Sequence, residues 1–466
     1  MSSGSMSSHA VYVKWLVTLL LSAGVMLVPA GGGFDEQLRL FSAITVFYIC
    51  TIVFEFLNVI VPSILLTAVY VLSGLAPVEV ALQPWTSPLV YMIVGAYALV
   101  NVMDECGLLK RVSIWCILRC GGTYNGALYG MFLTGLVLGV ITFNNAYLIM
   151  VSFAYGVTKS FGYDRPCREA ALMMFVGAVS AHACASAVYN PLFVGLAESG
   201  LRLVQEGYSI PWYEQTVAVW PTLLFNVFFI WLLTRIYKTK NFSTSNNSRA
   251  YFEEQARALG PVSAKEKKCC IVLALLMIYL FLSPLHGMPA VYGFMVLPWL
   301  LFLPGFRVGG HEAISRISFP ILVFIVSCMS IAAVGGHLGL NQLVSSAIVP
   351  MLSDMSDVSV VMGALIAGTL ANVVMTPGAM LPTLCAPFAG IAVSLGIKPL
   401  ALIMTLIVTC DVYIFPHEIA CFMILIGFGL IGISEFVKLA TLKTVLFLAF
   451  YAVVQIPYWS VIGYIR

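Results

Sequence analysis

Two short stretches carry the side chains best suited to hold small ions. The first is Gly139-Val-Ile-Thr-Phe-Asn-Asn-Ala146, with Thr142, Asn144 and Asn145. The second is Gly368-Thr-Leu-Ala-Asn-Val-Val-Met-Thr-Pro-Gly378, with Thr369, Asn372 and Thr376. Each lies between apolar arms of roughly 12–15 residues. At 1.5 Å per residue such an arm is about 20 Å long, short of the roughly 30 Å of bilayer hydrocarbon. A polar break between two short arms predicts a re-entrant hairpin with its tip near mid-membrane. Half-helix N-termini at a tip leave N–H groups unpaired and favour an anion, while carbonyl and Asn oxygens favour Na⁺.

A second break follows each hairpin. In the first half it is Ala185-Ser-Ala-Val-Tyr-Asn-Pro191, with Ser186, Tyr189 and Asn190. In the second it is Thr409-Cys-Asp-Val-Tyr-Ile-Phe-Pro-His-Glu418, with Asp411, Tyr413, His417 and Glu418. Proline removes a helix hydrogen bond in each. The second break alone gathers ionisable groups, which in a membrane setting are candidates to bind Na⁺ or carry a proton. The expected substrate contacts are Asn144, Asn145, Tyr189, Asn190, Asn372, Thr376, Tyr413 and His417. The expected cation ligands are Thr142, Asn144, Ser186, Thr369, Asn372, Asp411 and Glu418. No Walker loop, His-Glu-x-x-His or Gly-x-Ser-x-Gly is present, and His182, His286, His311 and His337 lack ligand spacing. An enzyme, an organic cofactor and a transition-metal site are therefore not expected; Na⁺ is the one ion implied.

The elements that must position these residues are membrane helices. The 466 residues are 61% hydrophobic and only 9% charged, against about 25% charged in soluble domains. The net charge of +3 gives no footing for nucleic acid. The twelve cysteines are scattered and read as small buried hydrophobes. Asp104, Glu105, Lys110, Arg111 and Arg119 read as interfacial charges. Residues 1–38 hold an N-terminal segment and a first transmembrane helix. Residues 39–236 form a first repeat (hairpin about 126–160, tip 141–146). Residues 237–268 form a basic linker, cytoplasmic by the positive-inside rule. Residues 269–466 form a second repeat (hairpin about 357–396, tip 369–376). Pro88 and Pro320, Gly107 and Gly339, and Val112 and Val344 are each 232 positions apart; Asn144 and Asn372 are 228 apart. The expected fold is an all-α polytopic membrane protein of two inverted repeats, each with a re-entrant hairpin and an unwound helix, with about 11 transmembrane helices in total.

This pattern resembles the divalent anion/sodium symporter family of the ion transporter superfamily, over residues from about 40 to 466. Asp104-Glu-Cys-Gly-Leu-Leu-Lys-Arg111 is similar to the family's acidic segment before the first hairpin. Ser434-Glu-Phe-Val-Lys438 and Trp459 are similar to its C-terminal end. The family's hairpin tips read Ser-Asn-Thr; here they read Phe143-Asn144-Asn145 and Ala371-Asn372-Val373. The central Asn stays and the flanking hydroxyls, associated with substrate carboxylates, are gone. The resemblance implies Na⁺-coupled uptake of a small anion by an elevator-type mechanism, in a homodimer in the cell membrane. The alternative is a proton-coupled carrier or a Na⁺-independent exchanger with another specificity, working through Asp411, His417 and Glu418.

Overall fold

A bilayer offers no partner for free backbone groups, so an apolar chain of this composition satisfies them in helices. The computed structural model describes residues 8–31, 33–54, 57–121, 123–184, 187–205, 207–237 and 246–466. The protein is an all-α polytopic membrane protein. Five helices among the described residues are long and apolar enough to cross a membrane: Glu36–Val53, Tyr124–Ile141, Phe319–His337, Pro377–Leu395 and Ile433–Val461. Pro88–Glu105 and Leu108–Arg119, bent by 66°, add a sixth if counted as one span. The other apolar helices, such as Ile60–Leu72 and Pro399–Thr409, are shorter. The count near eleven thus mixes full spans with short helices that Gly, Pro or a polar break stops early.

Helices of matching order fill the two halves. Pro88–Glu105, Leu108–Arg119, Tyr124–Ile141, Tyr147–Ser160, Arg168–His182, Pro191–Arg202 and Pro221–Ile236 are followed, after the linker, by Phe319–His337, Leu340–Leu352, Asp357–Val374, Pro377–Leu395, Pro399–Thr409, Ala420–Gly427 and Ile433–Phe450. Gly107 and Gly339 turn the chain at the same place in each series, at φ 85° and 80°, a left-handed conformation that glycine adopts without penalty.

Three of the four arms are longer than the expected 12–15 residues, at 18, 18 and 19, while Tyr147–Ser160 holds 14. Thr123 and Ser356 cap two of them beyond the apolar run, and Asp357–Val374 continues through Asn372. Eighteen residues span about 27 Å, close to the hydrocarbon thickness. In each half both arms lie along the next helix more than along each other: Arg168–His182 in the first, Pro399–Thr409 in the second. Small residues allow the approach. A Cβ added to Gly135 would come 2.3 Å from the Ser180 carbonyl oxygen.

Within the linker, the described residues 246–268 are structured. Asn246–Ala258 is helical, and Ser263 caps Ala264–Phe281 in a reciprocal capping box with Glu266. Arg111, expected only as an interfacial charge, reaches across to it. Its Nε lies 2.6 Å from Glu266 Oε1, and its Nη1 donates to the Gly260 carbonyl at 2.9 Å. The Arg111 hydrogen bond holds the Glu266 carboxyl below the usual carboxylate range.

Two outcomes follow from this packing. Gly135→Ala is expected to destabilise by about 1–3 kcal/mol, since backbone must move. Gly156→Ala, with nothing within 4 Å of the added Cβ, should be neutral or slightly stabilising. Melting temperatures in detergent compare them. Arg111→Met should cost about 2 kcal/mol at neutral pH, the scale of a charge-assisted hydrogen bond. Because the folded carboxyl is depressed, its stabilisation exists above the ordinary carboxylate range and fades as pH falls through it. A pH series of melting temperatures should show wild type and variant converging in acid.

Candidate functional site

At the first tip, Tyr124–Ile141 ends at Thr142, and Phe143 and Asn144 take left-handed φ values of 51° and 65°. Asn tolerates this region better than a bulky residue; Phe143 is strained there. Its surroundings hold it: the ring is buried and meets Phe294 edge-on at 4.6 Å. Asn144 Nδ2 donates to the Val188 carbonyl at 3.1 Å, and its backbone N–H to Gly139 O at 2.8 Å. Thr142 donates back to Leu138 O, and Asn145 Nδ2 to the Thr142 and Phe143 carbonyls.

The second tip is tighter. Only Met375 and Thr376 separate Asp357–Val374 from Pro377–Leu395, so Asn372 lies in the last helical turn instead of a loop. Asn372 Nδ2 donates to the Val412 carbonyl at 2.7 Å and faces Glu418 Oε2 at 3.3 Å. Thr369 donates to Leu365 O at 2.8 Å. In both halves, therefore, a tip Asn is stitched to a carbonyl of the following break. The Oδ1 atoms of Asn144 and Asn372 have no hydrogen-bond partner among the described residues, nor does the Thr376 hydroxyl.

Glu418 makes the second tip unlike the first. Its Oε1 accepts from the Ile414 and Phe415 N–H groups at 2.9 and 2.7 Å, and the side chain is 1% exposed. His417 Nε2 lies 3.1 Å from the Val373 carbonyl. Thr376, His417 and Glu418 line one cavity of about 100 Å³ together with Tyr48 and Phe324.

The remaining candidates fall elsewhere. Ser186 lies outside the described residues. Asn190 is occupied as an N-cap: its Oδ1 accepts from Leu192 and Phe193, while its own N–H donates to Gln215. Tyr189 rests on Phe294 at 6.1 Å. Tyr413 is buried beside Phe422 and His182. Asp411, expected as a cation ligand, faces Lys443 Nζ at 3.1 Å, both side chains being 2% exposed. Among the described residues no group of three or more His, Cys, Asp or Glu gathers to hold a metal ion. Sequence reasoning missed Lys443 and Phe294. A single cation inside the apolar run of the last long helix was the signal for Lys443; Phe294 had none.

The profile of the citrate transporter family, CitMHS, matches residues 49–409. Among solved structures the chain is similar to the Alcanivorax borkumensis YdaH transporter, at 16% identity and a TM-score of 0.55, over 98% of each chain. It is also similar to Neisseria gonorrhoeae MtrF, from a class of antimetabolite efflux pumps, at 12% identity and a TM-score of 0.58, over 97% of this chain and 95% of that one. At such identities the likeness concerns the fold. No curated protein sequence matches the chain.

Asn372→Ala should cost about 1–2 kcal/mol, because it removes the donor to a buried carbonyl within the membrane. Unfolding in mixed SDS–detergent micelles reads this. An unchanged midpoint would show that the stitch to Val412 contributes nothing.

Proposed function

The chain belongs to the citrate transporter family, within the ion transporter superfamily, and from that premise we propose that it couples a small organic anion of the di- or tricarboxylate kind to a cation that neutralises Glu418. It is a secondary membrane transporter, not an enzyme. The observation that carries the coupling is the buried Glu418 carboxylate on the wall of the cavity that Thr376 and His417 share. An anion roughly 5 Å from that carboxylate meets repulsion of about 3 kcal/mol at an effective dielectric near 20. A cation seated between them reverses the sign. Anion and cation then enter together or not at all.

In this reading Glu418, the Asn372 Oδ1 and Thr369 supply oxygens to Na⁺ at the second tip, and Asn144 and Thr142 do so at the first. Thr376, His417 and the N-terminal turn of Pro377–Leu395 take the anion, with Asn145 from the first tip. Tyr189 and Tyr413 act as walls, and Asn190 holds the first break in shape. The two tips and breaks move as one body past a dimeric scaffold, in an elevator-type exchange of access between inverted halves. The protein lies in the cell membrane with residues 237–268 in the cytoplasm, where their Lys and Arg excess is favoured. A second reading is favoured by the same carboxylate: a proton on Glu418 neutralises it as well as Na⁺ does.

Uptake of labelled citrate, and of a panel of smaller carboxylates, into proteoliposomes separates the two. An inward Na⁺ gradient should drive accumulation, and Glu418→Gln should abolish the Na⁺ dependence. Uptake driven by a pH gradient without Na⁺ selects the proton reading. Uptake indifferent to both gradients overturns cation coupling.

A further inference from the structure

One buried charge remains unused by that mechanism. Lys443 sits in the helix Ile433–Phe450 with its side chain 2% exposed. Its ammonium donates to the Asp411 backbone carbonyl at 2.7 Å, lies 3.1 Å from Asp411 Oδ1, and stands 4.5 Å over the Tyr413 ring. A lysine at this depth is costly, and an apolar residue of similar size would pack more cheaply. What it gains is a coordination set: a backbone carbonyl just past the C-terminal end of Pro399–Thr409, a carboxylate oxygen and an aromatic face. Carbonyls at a half-helix C-terminus carry partial negative charge and are what membrane carriers use to bind monovalent cations.

We infer that Lys443 is a tethered cation occupying, from within the chain, a monovalent-cation site at the second break formed by Asp411 and its carbonyl. This deepens the proposed coupling and rests on it in one respect: the solute cation then binds at the tips, and Asp411 is not among its ligands. The neighbouring residue strengthens the assignment. Thr444 donates to the Tyr413 carbonyl at 2.9 Å, so one helical turn grips residues 411 and 413. Between them, Val412 offers its carbonyl to Asn372, which faces Glu418. The tethered ammonium is thus a positioning group for the second tip, and it lowers by one the number of cations the carrier must take from solution.

The test is the melting temperature of the purified full chain in NaCl and in choline chloride at equal concentration. Lys443→Met empties the site while keeping Asp411. Its melting temperature should fall in choline and rise in Na⁺ at least twice as far as that of wild type. D411N/K443M deletes both charges, and its Na⁺ response should return to the wild-type size. A Lys443→Met response no larger than wild type overturns the inference, as does an equally enlarged response in the double variant. Should Lys443→Met not fold in either salt, the double variant decides. The inference requires that it fold with a wild-type response, and its failure to do so is a refutation. Wild type indifferent to Na⁺ would count against Na⁺ binding at Glu418 and leaves the difference between variants readable.

Discussion

A chain that leaves the helix inside a bilayer exposes carbonyls and amides that lipid cannot satisfy, and each such group costs several kcal/mol if left alone. Four breaks between helices show how this protein meets that demand: two turns, after Tyr124–Ile141 and Asp357–Val374, and two irregular stretches, before Pro191–Arg202 and after Pro399–Thr409. The solution is the same in both halves: the tip brings an Asn whose amide donates to a carbonyl of the stretch that follows, Asn144 to Val188 and Asn372 to Val412. The stitch locks tip and stretch into one unit while leaving each Asn Oδ1 uncommitted. Glycines make the approach possible. A Cβ at Gly139 would press on Cys184, and one at Gly368 on Leu406 and Thr409.

From that shared solution the halves diverge in charge. The first tip is closed by aromatic packing, with Phe143 and Tyr189 both against Phe294. The second is held by ionisable groups. Glu418 caps its own loop through two backbone N–H groups, and Lys443 balances Asp411. Charged groups thus gather at the second tip and aromatic packing at the first.

Contacts from other elements support this unit as well. Arg111 ties the start of Ala264–Phe281 to the short helix after Gly107, so the linker is held against the first half. Two long helices, Glu36–Val53 and Phe319–His337, line the cavity at the second tip through Tyr48 and Phe324. The tip therefore faces a wall supplied by other elements.

Much of this was legible in the chain. Composition and long unbroken apolar runs determined a polytopic helical protein, because a backbone in lipid is satisfied in helices or closed barrels and barrel strands would alternate. Asn144 and Asn372 stood out as candidate Na⁺ and substrate ligands because an amide side chain in an apolar run needs a partner; their bonds to Val188 and Val412 were not indicated. Glu418 stood out for the same reason. Partners distant in sequence were not legible. Nothing local indicates that Lys443 meets Asp411 or that Phe294 holds Phe143; Asn190 directly before Pro191, by contrast, carries a local N-cap signal. Three of the four arm lengths were misread because hydropathy ends where polarity begins, whereas a capped helix continues until its hydrogen bonds run out, as Asp357–Val374 does through Asn372. Side-chain type and spacing determined that these positions need partners; only the tertiary structure decided which, because contact across more than thirty residues depends on how whole helices pack.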